Sequence, residues 1–197
     1  MRVALTIDTE ERGRPAAAGN PARLLDVLAE QAVRATFFVQ GRWAGAHGEL
    51  ACRIRDGGHL IGNHSHYHAP LDLLTADGVR STVERARSVI VAATGVDTRP
   101  WFRCPYGAGA DDPRVLALLE AMGYRDVGWD VDPEDWAGGR RVDEVVETVV
   151  SGCVAHGDGA RVLLHSWPDV TAGALPRILA ELRAAGAELV GVDELGA

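Results

Sequence analysis

The apolar positions of the chain follow two periods in turn. Short runs rich in β-branched and aromatic residues are typical of buried strands, and the stretches between them place apolar residues three or four positions apart, as on one face of a helix. The pattern predicts seven strands, at residues 3–8, 35–40, 59–63, 98–103, 126–132, 160–165 and 188–192. It predicts helices between them, the first beginning with Asn20 as N-cap and Pro21 in the first turn, and others at residues 48–55, 75–93, 112–122, 142–153 and 172–185.

Strands separated by helices are expected to pair in parallel, because a parallel neighbour is reached only through a crossover. The chain therefore predicts an α/β fold whose parallel sheet either stays open or closes into a barrel. Its 197 residues are predicted to form a single domain, spanning 1–197. In both architectures, ligands bind beyond the carboxyl ends of the strands.

The composition excludes several kinds of chemistry. All 20 basic residues are arginines, so lysine nucleophiles and Schiff bases are ruled out. The three cysteines are odd in number and lack CxxC spacing, which argues against a disulfide framework or a cysteine zinc site. A net charge of −8 argues against a nucleic-acid partner. The apolar run at residues 3–7 is too short for an export signal, and no run approaches the length of about 20 residues that spans a bilayer, so we expect a cytoplasmic protein without a membrane partner.

Most candidate reactive side chains follow directly after predicted strands. Four of the seven histidines fall within residues 59–68, and a helical turn there would point His64 and His68 at one cation. Taken alone, this pair is equally well explained as surface or hydrogen-bonded core histidines. Parallel strands end at a common rim, which would bring the polar residues at those ends into one cleft: Asp8, Glu10, His64, His68, Arg103, Asp132, Asp135 and His165.

Five segments at these strand ends carry a recognisable pattern. They are Thr-Ile-Asp-Thr-Glu at residues 6–10, His-Ser-His-Tyr-His at 64–68, Arg-Cys-Pro-Tyr-Gly at 103–107, Asp-Pro-Glu-Asp-Trp at 132–136 and Leu-Leu-His at 163–165. In this order they resemble the motifs of the polysaccharide deacetylases, the family-four carbohydrate esterases that share the NodB-homology domain. The resemblance implies a distorted (β/α)7 barrel of parallel strands with outer helices. It also implies a metal-dependent hydrolase that removes an acetyl group from an N-acetylated sugar or a related N-acetyl amide.

The resemblance assigns roles to individual residues. Asp8 would be the catalytic base and His165 the general acid. Arg103 would hold Asp8 ionised and oriented, while Asp135 would orient His165 and raise its pKa. On the substrate side, the backbone N–H of Tyr106, which follows Pro105, would donate to the oxyanion. Leu163 would line the acetyl pocket. Trp136 and Trp167 would lie either in the cleft or in the core.

The same resemblance implies a metal bound by His64 and His68. The family's second aspartate, which is a metal ligand, aligns here with Thr9. Glu10 lies two residues beyond Asp8, however, and the strand period of two would place both carboxylates on one face, so we infer Glu10 as the third ligand from geometry rather than from alignment. The alternative is a solvated Glu10 and only two protein ligands. Zinc is the expected cofactor. Cobalt, nickel and manganese bind similar ligands and are the alternatives.

Two other functions stay open at this stage. An esterase for O-acetylated carbohydrate such as xylan would use the same residues and differ mainly in its leaving group. A non-catalytic carbohydrate-binding relative is allowed by Thr9, although the retention of both a base and an acid favours catalysis. The expected partner is an acetylated sugar or a small N-acetyl substrate.

Overall fold

The computed structural model describes residues 1–10 and 19–195. In that part of the chain the strands are β1 (Arg2–Thr9), β2 (Thr36–Val39), β3 (Leu60–Asn63), β4 (Trp101–Phe102), β5 (Arg125–Asp126), β6 (Ala160–His165) and β7 (Glu188–Val190). The α-helices are α1 (Asn20–Glu30), α2 (Gly41–Ala46), α3 (Gly48–Asp56), α4 (Ala76–Thr94), α5 (Pro113–Ala121), α6 (Val142–His156) and α7 (Asp169–Ala184). Short 3₁₀ turns lie at Leu71–Leu73, Pro105–Gly107 and Val192–Glu194.

The strands of this sheet pair in parallel, in the order β5-β4-β3-β2-β1-β6, with β7 beside the first half of β1. The segment after β5 leaves β4 and reaches the opposite edge of the sheet, where Val131 forms a bridge with Val162 of β6. This segment thereby spans the gap between the two edge strands. With helices on the outside, the result is the distorted barrel of parallel strands that the resemblance implied.

The alternation of side chains along β1 separates the barrel interior from the outer core. Ala4 packs with Phe38 and Val127 in a small interior cluster. Because side chains alternate in a strand, Asp8 also points inward. The intervening residues face outward into the main apolar core, which they share with residues of α1, α6 and α7: Val3, Leu5 and Ile7.

The fourth and fifth strands are shorter than the sequence pattern predicted. Only Trp101–Phe102 and Arg125–Asp126 are paired as strands. The Arg103 guanidinium, fully buried in the barrel, donates to the carbonyl oxygens of Val127 at 2.8 Å and Gly128 at 3.0 Å. Those carbonyl groups therefore bond to a side chain instead of a neighbouring strand, which a period-two pattern cannot reveal.

Two helix predictions also need correction. The helix α2 was not predicted, because six residues are too few to show a helical period. The N-cap of α1 is Gly19, with φ 109°, rather than Asn20. The Asn20 side chain instead donates to Trp167 O at 2.9 Å and to Asp169 Oδ1 at 2.8 Å, which ties the start of α1 to the start of α7. Among residues 1–10 and 19–195, no helix has the length and apolar character needed to cross a membrane.

Candidate active site

A cavity of about 270 Å³ lies at the carboxyl ends of the strands. The ends of β1 and β6, the turn after β3 and the loops after β4 and β5 all contribute to its walls. The structure therefore brings together side chains that are far apart in sequence, as expected for a parallel sheet. The lining residues are Asp8, Glu10, His68, Tyr106, Trp129, Asp132, Trp136, Leu163 and His165.

Glu10, His64 and His68 direct three donor atoms toward a common point. The Nε2 atoms of the two histidines are 3.0 Å apart, and His68 Nε2 lies 2.6 Å from Glu10 Oε2. All three donor atoms lie within 4.8 Å of one another. His64 Nδ1 lies 2.9 Å from the carbonyl oxygen of Arg103, so this nitrogen carries the proton and Nε2 keeps its lone pair. Two imidazole nitrogens and one carboxylate oxygen are a donor set that suits zinc, and the three residues fit such a cation.

The pKa shifts of His64 and Glu10 also suit cation binding. Burial lowers the pKa of His64 to about 4 despite the nearby carboxylates, so its imidazole is neutral at neutral pH. Burial alone would raise the pKa of Glu10, but the hydrogen bond and charge of His68, with the charges of His64 and His165, lower it to about 2. A neutral imidazole and an ionised carboxylate are the forms that bind a metal ion.

The two histidines are brought together by a turn, not by the helical turn that their spacing suggested. Ser65 and His68 both adopt left-handed backbone conformations, with φ 57° and 58°. Asn63 Oδ1 accepts from the backbone N–H of Ser65 at 2.9 Å, and Ser65 Oγ accepts from that of His68 at 3.1 Å. The side chains of Asn63 and Ser65 therefore hold the backbone of the turn that carries the two imidazoles.

Thr9, which aligns with the family's second aspartate, lies outside this group. It is fully buried, does not line the cavity, and its hydroxyl has no hydrogen-bond partner among the described residues. The strand alternation that turns Asp8 and Glu10 into the barrel turns Thr9 away from it. The geometry therefore favours Glu10 over Thr9 as the third donor.

Asp8 and Arg103 form a buried ion pair inside the barrel. Arg103 Nη1 donates to Asp8 Oδ1 at 2.9 Å and to Thr6 Oγ1 at 2.8 Å. The guanidinium also lies 4.2 Å from the centre of the Phe38 ring. Asp8 Oδ2 is 3.4 Å from His64 Nε2. One carboxylate oxygen is thus held by Arg103 while the other faces the histidine group.

His165 is held by Asp135 at the end of β6. Its Nδ1 lies 2.7 Å from Asp135 Oδ1, and its backbone N–H donates to Oδ2 at 2.8 Å, to which Thr171 Oγ1 also donates. Burial alone would lower the pKa of His165, but the hydrogen bond and charge of Asp135, with the charges of Asp8 and Glu10, raise it. The imidazole is therefore a proton donor that persists above its ordinary pKa.

Comparison with known proteins agrees with the motifs. A sequence profile of the polysaccharide deacetylase family matches residues 1–127. The chain belongs to the polysaccharide deacetylase family. It is 32% identical over 194 residues to the peptidoglycan-N-acetylglucosamine deacetylase PgdA of Listeria monocytogenes, covering 98% of this chain and 38% of that protein. The solved structure of a family-four carbohydrate esterase from Streptomyces lividans, in complex with acetate, superimposes with a TM-score of 0.82 at 31% identity, covering 94% of this chain and 90% of that chain.

Membership of the polysaccharide deacetylase family does not by itself establish activity. A family pseudoenzyme from Bacillus anthracis superimposes with a TM-score of 0.86 at 30% identity, covering 98% of this chain and 64% of that chain. Individual site residues must therefore decide whether a member is catalytic. This chain also spans only 38–66% of the length of the first curated relatives that it matches.

Several aromatic side chains line the cavity. Tyr106 is 63% exposed and has a backbone φ of 59°. The centre of its ring lies 4.4 Å from that of the His68 ring. Trp136, in the loop after β5, and Leu163 of β6 also line the cavity. Trp167 Nε1 donates to Glu10 Oε1 at 3.2 Å, so this tryptophan contacts the candidate metal-binding group. Pro105, next to Tyr106, is buried beneath this surface.

Trp129 and Asp132 also line the cavity. The sequence placed Asp132 in the cleft, but it assigned no role to either residue. Trp129 packs 5.6 Å from the Arg103 guanidinium, and a Cβ on Gly107 would lie 3.2 Å from its ring. The sequence placed Trp129 within a strand, where a tryptophan is equally well explained as core. Cys104, by contrast, is buried, and burial raises the pKa of its thiol, which does not favour a nucleophile.

Proposed function

We propose that this chain is a metal-dependent hydrolase that removes the acetyl group from an N-acetylated sugar. The observation that carries the proposal is the convergence of two charged pairs on one cavity, Asp8 with Arg103 and His165 with Asp135. One pair suits a general base and the other a general acid, and a binding protein without activity needs neither. The activity named for the Listeria relative and the acetate bound by the Streptomyces esterase support the same class of reaction.

Glu10, His64 and His68 would hold the cation, for which zinc is the first candidate. A divalent ion at this point supplies Lewis-acid polarisation of the acetyl carbonyl and acidifies a water molecule. Asp8 accepts the proton of the attacking water. Its Oδ1 is engaged by Arg103, which leaves Oδ2 for that task.

His165 supplies the proton that the leaving group needs. Because its Nδ1 faces Asp135, its Nε2 is the nitrogen that donates to the departing amine. The backbone N–H of Tyr106, at the mouth of the cavity, is the candidate donor to the tetrahedral oxyanion. Leu163 offers the apolar wall against which the acetyl methyl packs.

The test is acetate release from N-acetylchitooligosaccharides and peptidoglycan fragments, with parallel O-acetylated xylan, after chelation and reconstitution with zinc or cobalt. We expect His64→Ala and His68→Ala to lose the bound cation and nearly all activity, whereas Asp8→Asn keeps the cation and loses activity. His66→Ala is the matched control from the same turn, because its ring packs against Tyr67 rather than the site.

Two results would contradict the proposal. Full metal content in the His64→Ala/His68→Ala double variant would remove the metal site. Acetate release from xylan at a rate far above that from any N-acetyl sugar would make the protein an O-acetyl esterase.

A further inference from the structure

One carboxylate in the cavity has no part in the proposed reaction. Four carboxylates lie at this site, and three of them have both a partner and a part in the proposed reaction: Asp8 with Arg103, Glu10 with His68 and Trp167, and Asp135 with His165 and Thr171. The fourth is Asp132, which lines the cavity close to His165.

Asp132 makes a single hydrogen bond within the described residues. Its Oδ1 accepts from the backbone N–H of Glu134 at 2.7 Å, which braces a turn in which Glu134 has φ 52°. Its Oδ2 has no hydrogen-bond partner in residues 1–10 and 19–195, and burial raises the pKa of the group. A half-buried carboxylate oxygen without a donor is unfavourable, so a ligand that donates a hydrogen bond to it would be stabilised.

The metal-binding group does not account for this oxygen. Asp132 is not part of the cluster formed by Glu10, His64 and His68, so it is not a fourth donor to the same cation. The same cavity is lined by Trp129, Trp136 and Leu163. An acceptor set among aromatic surfaces is suited to a sugar ring, which presents hydroxyl donors at its edge and C–H groups on its faces.

We infer that Asp132 accepts a hydrogen bond from a ring hydroxyl of the substrate and thereby selects acetamido sugars over simple N-acetyl amides. This inference rests on the proposed deacetylase function and adds a specificity residue to it. Asp132 takes no proton in the reaction; it fixes the ring so that the acetyl group lies between Asp8 and His165. Removing either partner of such a bond should reduce kcat/KM by about 10- to 100-fold.

The experiment pairs Asp132→Asn with a panel of N-acetylglucosamine oligosaccharides, each lacking one ring hydroxyl. The asparagine keeps an oxygen for the Glu134 N–H, so the turn stays braced while the free acceptor is lost. Glu134→Gln is the matched control, because it alters an exposed carboxylate of the same turn. Metal content and thermal unfolding confirm that each variant is intact.

We expect one deoxy analogue to lose about 10- to 100-fold in kcat/KM with the wild-type protein, and Asp132→Asn to lose as much on the parent sugar but nothing further on that analogue. Additive losses on every analogue would overturn the inference and leave Asp132 as a turn brace. A wild-type protein that cleaves the sugar and all analogues equally would overturn the inference alone. A wild-type protein that releases no acetate from the parent sugar would overturn the proposed function itself.

Discussion

Replacing Arg103 by methionine should be among the most destabilising single changes in this barrel. The fully buried guanidinium donates to four oxygen atoms, on Asp8, Thr6, Val127 and Gly128. Methionine keeps part of the volume but leaves all four acceptors without this donor, one of them the carboxylate of Asp8. Removing one partner of a buried ion pair costs about 3–5 kcal/mol. For a chain of this size that corresponds to a fall in Tm of about 6–20 °C.

Urea unfolding followed by circular dichroism, with chelator present so that metal binding does not contribute, measures this loss. A double-mutant cycle with Asp8→Asn isolates the ion pair, and the double variant should lose less than the sum of the two single variants. Arg103→Lys, which keeps the charge but cannot reach four acceptors, should fall between wild type and Arg103→Met. A loss below about 1 kcal/mol for Arg103→Met would refute the reasoning, because it would mean that the barrel closes without this side chain.

Three further predictions concern the titrating groups. Glu10→Gln should weaken zinc binding by about 10- to 100-fold in a competition assay, whereas Thr9→Ala should change it little; the reverse ranking would assign the third donor to Thr9. The pKa of His165 is raised, so activity should persist above the ordinary pKa of histidine and fall as the imidazole deprotonates. Asp135→Asn should move this alkaline limb of the pH–rate profile to lower pH. A limb that does not move would contradict the pairing of His165 with Asp135. Burial lowers the pKa of His59 to about 4, so the neutral imidazole contributes fully to the free energy of unfolding above pH 6.5, and this contribution is lost as pH falls toward 4. At pH 5 the wild-type protein should have lost about 2 kcal/mol of unfolding free energy that His59→Asn does not lose. Identical pH dependence of stability in the two proteins would contradict this.

The secondary structure was predictable wherever burial alone determines it. The strand at residues 160–165 was predicted with its observed bounds, and the long helix α4 to within one residue at each end, because each has a clear apolar period. The predicted strand at residues 126–132 was too long, because the Arg103 side chain takes the place of a neighbouring strand as hydrogen-bond partner of Val127 and Gly128. No local pattern encodes that contact, which joins positions about 25 residues apart.

The candidate site was predictable for residues that stand at strand ends. The strand period of two predicted that Glu10 lies on the same face of the strand as Asp8. The structure brings the Glu10 carboxylate close to His68. The roles of these residues in catalysis stay predictions. Asp132 could not be given a role from sequence, because its significance depends on which of its oxygens the fold leaves without a donor.

The left-handed residues around the cavity have a consequence for any attempt to engineer this protein. Among the described residues, five non-glycine positions have positive φ, and all but Ala32 lie in the turns that form the site: Ser65, His68, Tyr106 and Glu134. Each left-handed conformation costs about 1 kcal/mol. Glycine would relieve this strain, but its greater conformational entropy would stabilise the unfolded chain by a similar amount. A selection for heat resistance alone would therefore treat an exposed position such as Glu134 as interchangeable with glycine. Only a selection for turnover would detect the loss of rigidity in these turns, because that rigidity fixes the orientation of the imidazoles and carboxylates.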